Sequence, residues 1–283
     1  DDGYPEAWIS SDGRTAADIE SVPDSEVPYK NPKEYPNDQK PGTLWYHDHA
    51  LGITRLNVYA GLSGFYLLRD PMENALPSDQ YEVPILFQDR TFDSYGDLFY
   101  PPGDEDDYEA EFAGDIPVVN GKAYPKLTVE PRSYRFRFLN GSNNRTFNLR
   151  FYNEDTDSYS EVPLMQQIGV DLGFLDEVVN VGPGGTVGPE GPIDSMLLSG
   201  AERADVVVDF SGYEGTTFTL KNNAEFPYAG EDSGPDVPSI GEMLQIRVTE
   251  TVTQPDETIP PQQFLDQITD QYQEPETTPS GIT

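Results

Sequence analysis

Both histidines of the chain lie in one short motif, Trp45–His49 (WYHDH). In an extended strand, residues i and i+2 face the same side at a Cα spacing of roughly 6.5–7 Å, so His47 and His49 can face one metal ion or two adjacent ions. Imidazole nitrogen suits zinc, copper, iron and nickel. A lone His-x-His pattern often has no function, but these are the only two histidines among 283 residues and they follow a Trp-Tyr pair. The motif therefore predicts a metal site.

The rest of the composition excludes several other catalytic sites. Cysteine is absent, which excludes disulfides, zinc–thiolate sites and thiol catalysis within these residues. Zinc hydrolases with histidine clusters and serine triads need histidines beyond the two in the motif. The loop-like stretch Gly182–Gly191 (GPGGTVGPEG) lacks the phosphate-binding glycine spacing. By itself, the chain completes no well-known metalloenzyme site.

The charge balance limits the partners. The chain carries 51 Asp and Glu against 17 Lys and Arg, a formal net charge of −34. Nucleic-acid binders and proteins that dock on anionic membranes use basic surfaces, so we expect neither partner. No apolar run approaches the ~18 residues of a membrane-spanning helix. The acids are dispersed and lysine is rare, which favours a halophilic protein; an ordinary acidic secreted protein, or one that binds a cationic partner, is the alternative.

The elements that must position the motif are predicted to be strands. Short runs rich in β-branched and aromatic residues alternate with scattered Pro and Gly, which is typical of a β-sandwich or barrel. The segment Tyr134–Phe138 alternates aromatic residues with Arg, which predicts a half-buried strand. The predicted strand-like runs are Val58–Leu68, Val83–Phe87, Ser133–Leu139, Ala204–Phe210, Thr216–Leu220 and Met243–Val248.

Two composition changes suggest domain boundaries. The polar, Pro-bearing stretch Arg69–Gln80 is interpreted as a connection between domains, and after Val248 the chain becomes rich in Pro, Gln, Thr and acids. We therefore divide the chain into residues 1–70, 71–250 and 251–283, the last being a linker or partly ordered tail.

Four segments carry a resemblance to a known family. Gly42–Asp70 (GTLWYHDHALGITRLNVYAGLSGFYLLRD) closely resembles the second copper-binding motif of multicopper oxidases, in the branch of bacterial spore-coat laccase and bilirubin oxidase. Asp2–Trp8 (DGYPEAW) resembles the segment after the first HxHG motif of that branch. Val119–Asn148 and Ala201–Gly215 resemble its second domain. The similarity runs in order over about residues 1–250.

The resemblance implies an all-β fold of cupredoxin-like Greek-key β-sandwiches or barrels. The chain would hold one complete domain, residues 71–250, part of a first domain, residues 1–70, and a linker, residues 251–283, towards a third. The family implies a copper-dependent oxidoreductase that oxidises an organic, phenolic substrate and reduces dioxygen to water at a trinuclear copper cluster. The expected partners are dioxygen, a small aromatic reductant, N-terminal strands and a third cupredoxin domain.

The resemblance also assigns roles to individual residues. His47 and His49 match the two ligands that this motif gives to the type 3 copper pair, and Asp2 matches an acid that assists proton delivery near the cluster. The first HxHG motif and the later motifs with the type 1 copper cysteine are absent from these 283 residues. We therefore expect an internal piece of a longer enzyme, without a type 1 copper site and inactive as an isolated chain.

Other residues and functions stay open. Arg55 and Asn57 follow the motif and are candidates for hydrogen bonds near it or for structural support, whereas Arg203 is predicted to pair with a carboxylate across a turn. The alternative function is a non-catalytic extracellular coat protein that retains the cupredoxin fold. A lone two-histidine copper carrier ranks last because the four Met are scattered. The expected location is extracellular or in the cell envelope, or else the cytoplasm of a high-salt organism.

Overall fold

The computed structural model describes residues 35–50, 52–101, 112–228 and 240–272 of the 283-residue chain. The chain forms two compact units. The described part of the histidine unit comprises residues 35–39, 45–50 and 52–64. The sandwich unit comprises residues 40–44, 65–101, 112–228 and 240–272. The predicted domain boundaries after residues 70 and 250 stay predictions.

One eight-stranded sheet forms the larger layer of the sandwich unit. Its strand order is β11-β10-β15-β8-β3-β5-β6, and β4 pairs with β3. β8 and β15 run antiparallel in continuous register from Ser133 opposite Asp209 to Leu139 opposite Arg203. The strands of this sheet are β3 (Glu82–Phe92), β4 (Leu98–Phe99), β5 (Ile116–Val119), β6 (Lys122–Ala123), β8 (Ser133–Asn140), β10 (Met165–Val170), β11 (Gly173–Val181) and β15 (Arg203–Asp209).

A five-stranded sheet forms the second layer, in the order β14-β9-β16-β17-β7. Its strands are β7 (Lys126–Val129), β9 (Phe147–Asn153), β14 (Met196–Leu198), β16 (Thr217–Asn222) and β17 (Glu242–Val248). Alternate residues of both sheets, such as Phe136 of β8 and Phe151 of β9, face inward and form one apolar core. The predicted all-β sandwich is confirmed.

The remaining elements are short. β1 (Gly42–His47) and β2 (Ser63–Leu68) form a two-stranded sheet, as do β12 (Val187–Gly188) and β13 (Gly191–Pro192). Helix α1 spans Thr54–Tyr59, so the predicted strand over Val58–Leu68 is wrong in its first part. None of the helices within the described ranges is long and apolar enough to cross a membrane.

Strand β8 is buried on both faces, so the prediction of a half-buried strand is wrong. Tyr134, Phe136 and Phe138 face the sandwich core, but Arg135 and Arg137 on the opposite face are only 1% and 0% exposed. The predicted alternation of the two faces of the strand is correct, but the prediction that the Arg face is exposed to solvent is wrong. These two guanidinium groups are covered by the segment after β2 and by carboxylates from neighbouring strands.

A buried ionic network holds the two arginines. Arg135 donates to both oxygens of Asp205, at 2.8 and 2.5 Å, and to Glu73 Oε2 at 2.9 Å. Arg137 donates to the same Glu73 oxygen at 2.6 Å and to Glu82 Oε1 at 2.5 Å. Burial alone would raise the pKa of the Asp205 carboxyl, but the adjacent guanidinium groups hold it below its ordinary value. Each buried charge therefore has an opposite charge beside it.

The network also reaches β1. Arg137 Nη1 donates to Thr43 Oγ1 at 2.7 Å, and Arg203 Nε donates to the Thr43 carbonyl at 3.0 Å. Arg203 lies 3.2 Å from the Asp171 carboxylate, so it does pair with a carboxylate, but with one 32 residues away and not across a turn as predicted. Two arginines of the sandwich unit thus contact Thr43, the second residue of β1, within the same unit.

The stretch Arg69–Gln80, interpreted from sequence as a connection, contains a 3-10 helix at Pro71–Ala75 and the start of another at Asp79–Tyr81. Asp70 and Glu73 form a capping box: Asp70 Oδ1 accepts from the Met72 amide, and Glu73 Oε1 accepts from the Asp70 amide, each at 2.8 Å. This cap orients the other Glu73 oxygen towards the two arginines.

Helix α2 (Pro261–Tyr272) covers the outer face of the larger sheet. Its buried residues Phe264, Leu265 and Ile268 pack with Ile168 and Val207. Tyr272 donates to Asp70 Oδ2 at 2.7 Å. No helix was predicted here from the sequence; part of the segment after residue 250, predicted to be a linker or tail, is instead packed within the sandwich unit.

Candidate metal centre

The two histidines lie at the end of β1. His47 is the last residue of the strand, and His49 follows it in a loop, so the predicted extended geometry holds only as far as His47. The ring centroids are nevertheless 5.9 Å apart, with planes inclined at 34°. The Trp45 ring lies 4.6 Å from that of His47. His47 is partly buried, whereas His49 is exposed.

A backbone contact determines which nitrogen His47 can offer. Its Nδ1 lies 2.7 Å from the carbonyl oxygen of Asp48. Because a carbonyl oxygen only accepts, Nδ1 must carry the proton, and the neutral ring then has its lone pair on Nε2. Ligating histidines commonly use this arrangement, in which one nitrogen is fixed by an acceptor and the other binds the metal.

The Asp48 side chain organises the loop that carries His49. Its Oδ2 accepts from the Ala50 amide at 3.1 Å and from Asn57 Nδ2 at 2.8 Å. The Thr54 hydroxyl donates to the Ala50 carbonyl at 2.8 Å. Asn57, a sequence candidate, therefore contacts the motif, and it does so through Asp48. The roles of Asp48 and Thr54 were missed because such short-range bonds have no distinctive spacing.

Helix α1 and the return to β2 shape the floor of this loop. The Asp48 amide donates to the Leu62 carbonyl at 3.1 Å. Gly61 has φ of +102°, a backbone conformation that glycine adopts without strain. The Tyr46 ring lies so close to Gly64 that an added Cβ would meet its hydroxyl oxygen at 2.9 Å. Small residues at both positions allow the chain to return beside the histidine motif.

The donor set of the motif fits copper chemically. Two imidazoles, one of them with Nε2 available by its hydrogen bonding, are suitable copper ligands. Within the described ranges no group of three or more His, Asp or Glu residues is placed to hold a metal ion. Asp2, the predicted proton-delivery residue, lies outside the described residues.

The comparisons with known proteins identify the relatives. The chain is 43% identical over 260 residues to a laccase of Bacillus stratosphericus, covering 88% of this chain and 44% of the laccase. It is 37% identical over 239 residues to bilirubin oxidase of Albifimbria verrucaria, covering 82% of this chain and 38% of that protein. The chain thus spans less than half the length of these curated relatives. No family model matches it.

Solved structures agree with the sequence relatives. A crystal structure of the McoA multicopper oxidase from the hyperthermophile Aquifex aeolicus matches with a TM-score of 0.61 and 30% identity. The match covers 78% of this chain and 44% of that chain. The likeness therefore extends over the fold as well as over the motif. The chain belongs to the multicopper oxidase family, in the branch that includes laccases and bilirubin oxidase.

Proposed function

We propose that this chain is part of a laccase-like enzyme and that His47 and His49 bind the type 3 copper pair of a trinuclear cluster. The observation that carries the proposal is the pair of rings 5.9 Å apart, with His47 Nδ1 occupied by the Asp48 carbonyl. Copper bound there supplies the one-electron chemistry that couples oxidation of a phenolic substrate to reduction of dioxygen.

The chain's own residues have three tasks in this proposal. His47 and His49 donate nitrogen lone pairs. Asp48 holds the loop through Asn57 and the Ala50 amide and so keeps the two rings near each other. Asp2 holds and releases a proton at its carboxyl oxygens during the reduction of dioxygen to water. In this proposal, the remaining copper ligands and the site for the organic substrate are supplied by other parts of the enzyme.

Copper titration tests the ligand assignment. Isothermal titration of residues 1–283 with Cu(II) should show one class of sites that the double variant His47→Ala/His49→Ala lacks. The control Lys40→Ala/Lys122→Ala leaves the motif intact and should retain that class. Electron paramagnetic resonance should show nitrogen hyperfine splitting in the wild type and in the lysine control, and none in the double histidine variant. Nitrogen coupling that persists in the double histidine variant, or equal binding by all three proteins, would refute the assignment.

An oxidase assay tests the inactivity of the isolated chain. Two imidazoles cannot complete a cluster, so we expect neither dye oxidation nor oxygen uptake when copper-loaded residues 1–283 are supplied with a phenol. Free Cu(II) at the same concentration is the background control. Turnover above that background would show that these residues suffice for the reaction and would contradict the proposal that the chain needs partners.

A further inference from the structure

The outer face of the five-stranded sheet carries a group of cations in a chain whose net charge is −34. Inward residues of β9, β16 and β17, such as Phe151, Leu220 and Ile246, fill the core, so the residues between them face outward. Four of the 17 Lys and Arg residues of the chain lie on this outer face, and we call them the cationic face: Lys126, Arg150, Lys221 and Arg247.

Strand register brings these cations together. Lys221 of β16 lies directly opposite Arg150 of β9, and Arg247 of β17 lies opposite Thr217 of β16. Lys126 lies on β7, the edge strand, opposite Gln245. Like charges directly opposite each other are unfavourable, so the Lys221–Arg150 pair opposes folding unless something else contacts it.

Aromatic rings, more than carboxylates, partner these cations. Lys221 Nζ lies 3.4 Å from the centroid of Tyr152, and the Arg150 guanidinium carbon lies 4.2 Å from that of Tyr159. Lys221 also lies 3.9 Å from Glu154. Among the described residues, Lys126, Arg150 and Arg247 have no carboxylate within ion-pair distance. Lys221 also lies opposite Glu242 of β17, so the positive charge left without a carboxylate partner among the described residues is that of the other three cations.

A shallow cleft opens on the same face. It has a volume of about 190 Å³ and lies between β7, β16 and β17. Its lining includes Lys126, Thr219 and Gln245, which can donate hydrogen bonds, the exposed ring of Tyr124, and one carboxylate, that of Glu242. Arg and Tyr are enriched in protein interfaces. Lys126 is the cation that a carboxylate entering this cleft would meet.

We propose that the cationic face docks an acidic polypeptide segment of a partner protein. Charge complementarity selects an acidic partner, because unpaired Lys and Arg attract carboxylates at short range even where the whole chain is anionic. The area argues against a second copy. Five strands about 4.8 Å apart and about 20 Å long cover roughly 500 Å². A pair of such faces buries about 1,000 Å², below the roughly 1,600 Å² of a standard interface.

Two charge-reversal variants test the proposal at equal net charge. Lys126→Glu/Arg247→Glu changes two exposed residues of the cationic face, whereas Lys40→Glu/Lys122→Glu changes two exposed cations elsewhere. Binding of a fluorescein-labelled peptide of alternating Glu and Gly is followed by anisotropy in 0.05 M KCl. We expect the first variant to bind at least about tenfold more weakly and the second to stay within about twofold of the wild type. Circular dichroism checks that both variants fold.

Three results would overturn the proposal. Equal loss of peptide binding in both variants would show that net charge, not this face, determines binding. Binding of heparin without binding of the peptide would identify a sulfated polymer as the occupant. Self-association in sedimentation velocity that Lys126→Glu/Arg247→Glu abolishes would identify a second copy. None of these tests uses copper, so their outcome is independent of the proposed oxidase function.

Discussion

The sandwich unit contains two groups of basic residues in opposite environments. Arg135 and Arg137 lie almost fully buried on the outer side of the larger sheet, each within 3 Å of carboxylate oxygens of Glu73, Asp205 or Glu82. The cationic face carries similar charges on the smaller sheet, but aromatic rings and solvent surround them. A buried guanidinium group that loses its partners keeps its full desolvation cost, whereas an exposed one is rehydrated. Basic residues on the larger sheet therefore stabilise the fold, whereas those on the smaller sheet are available to bind another molecule.

The largest difference should appear when the buried arginine is removed. Arg137→Ala leaves Glu73 and Glu82 with one cation fewer and Thr43 without its donor. Removing one member of a buried ion pair costs about 3–5 kcal/mol, so we expect a loss of that size in the free energy of unfolding by urea. Arg137→Met, which restores apolar volume without charge, should be less stable than the wild type as well. A loss below about 1 kcal/mol for Arg137→Ala would show that the network does not hold the sheet.

Acid should weaken the ion pairs of the buried arginines and have little effect on the cationic face. The guanidinium groups lower the pKa of Asp205, against the effect of burial, and Arg137 likewise lowers the pKa of Glu82. A carboxyl whose folded pKa is depressed stabilises the fold above its unfolded pKa, and this stability is lost as the pH falls through the folded value. The free energy of unfolding should thus be steady from about pH 7 to 5 and fall below about pH 4.5, by about 1.4 kcal/mol per pH unit for each carboxyl that takes up a proton. Urea titrations between pH 7 and pH 3 measure this slope.

The matched variant for the acid prediction is Asp205→Asn, which removes one of these carboxyls. Its slope below pH 4.5 should be shallower than that of the wild type, although the variant is less stable at pH 7. An unchanged slope would show that Asp205 does not take part in acid unfolding.

Salt should act mainly on the surface. With a formal charge of −34, mutual repulsion opposes the compact state and is screened as the Debye length falls from about 30 Å at 0.01 M salt to about 3 Å at 1 M. We expect the midpoint of thermal unfolding to rise by at least about 5 °C between dilute buffer and 1 M KCl. Sucrose is the control, because it favours compact states without screening charge. A midpoint unchanged by KCl would contradict the halophilic prediction.

The smallest effect should come from the cationic face. Arg247→Ala removes an exposed side chain whose described polar contact is a hydrogen bond to Gln245 at 3.0 Å. Surface substitutions of this kind change stability by less than about 0.5 kcal/mol. The free energy of unfolding by urea is measured for Arg247→Ala and compared with that of Arg137→Ala. A loss above about 1 kcal/mol in the free energy of unfolding would mean that the cationic face stabilises the fold and is not reserved for binding.

Local patterns predicted the strands but not their surroundings. The alternation in Tyr134–Phe138 correctly indicated β8, because side chains of a strand alternate between its faces. It did not reveal that the Arg face is buried, since the partners Glu73 and Asp205 lie 62 and 70 residues away from Arg135. Composition likewise did not reveal helix α2, whose three buried residues acquire a partner only when the larger sheet has formed.

The candidate site was found because its residues are adjacent in sequence. His47 and His49 needed no long-range information, and the family resemblance supplied the expected metal. The hydrogen bond from His47 Nδ1 and the contact of Asn57 with Asp48 depend on the turn after β1. The sequence did not predict this turn, because the whole motif was expected to be extended. The motif Trp45–His49 carries no information on whether other segments supply ligands.

The ligand pair is tested most directly by nitrogen NMR of the two imidazoles, because the chain contains only two histidines. The protein is labelled with ¹⁵N-histidine and titrated with Cu(I) under argon. We predict that both rings shift at the same copper ratio, and that His47 responds at Nε2 while its Nδ1 keeps its proton. Rings that do not respond to copper, or a His47 that responds through Nδ1, would contradict it.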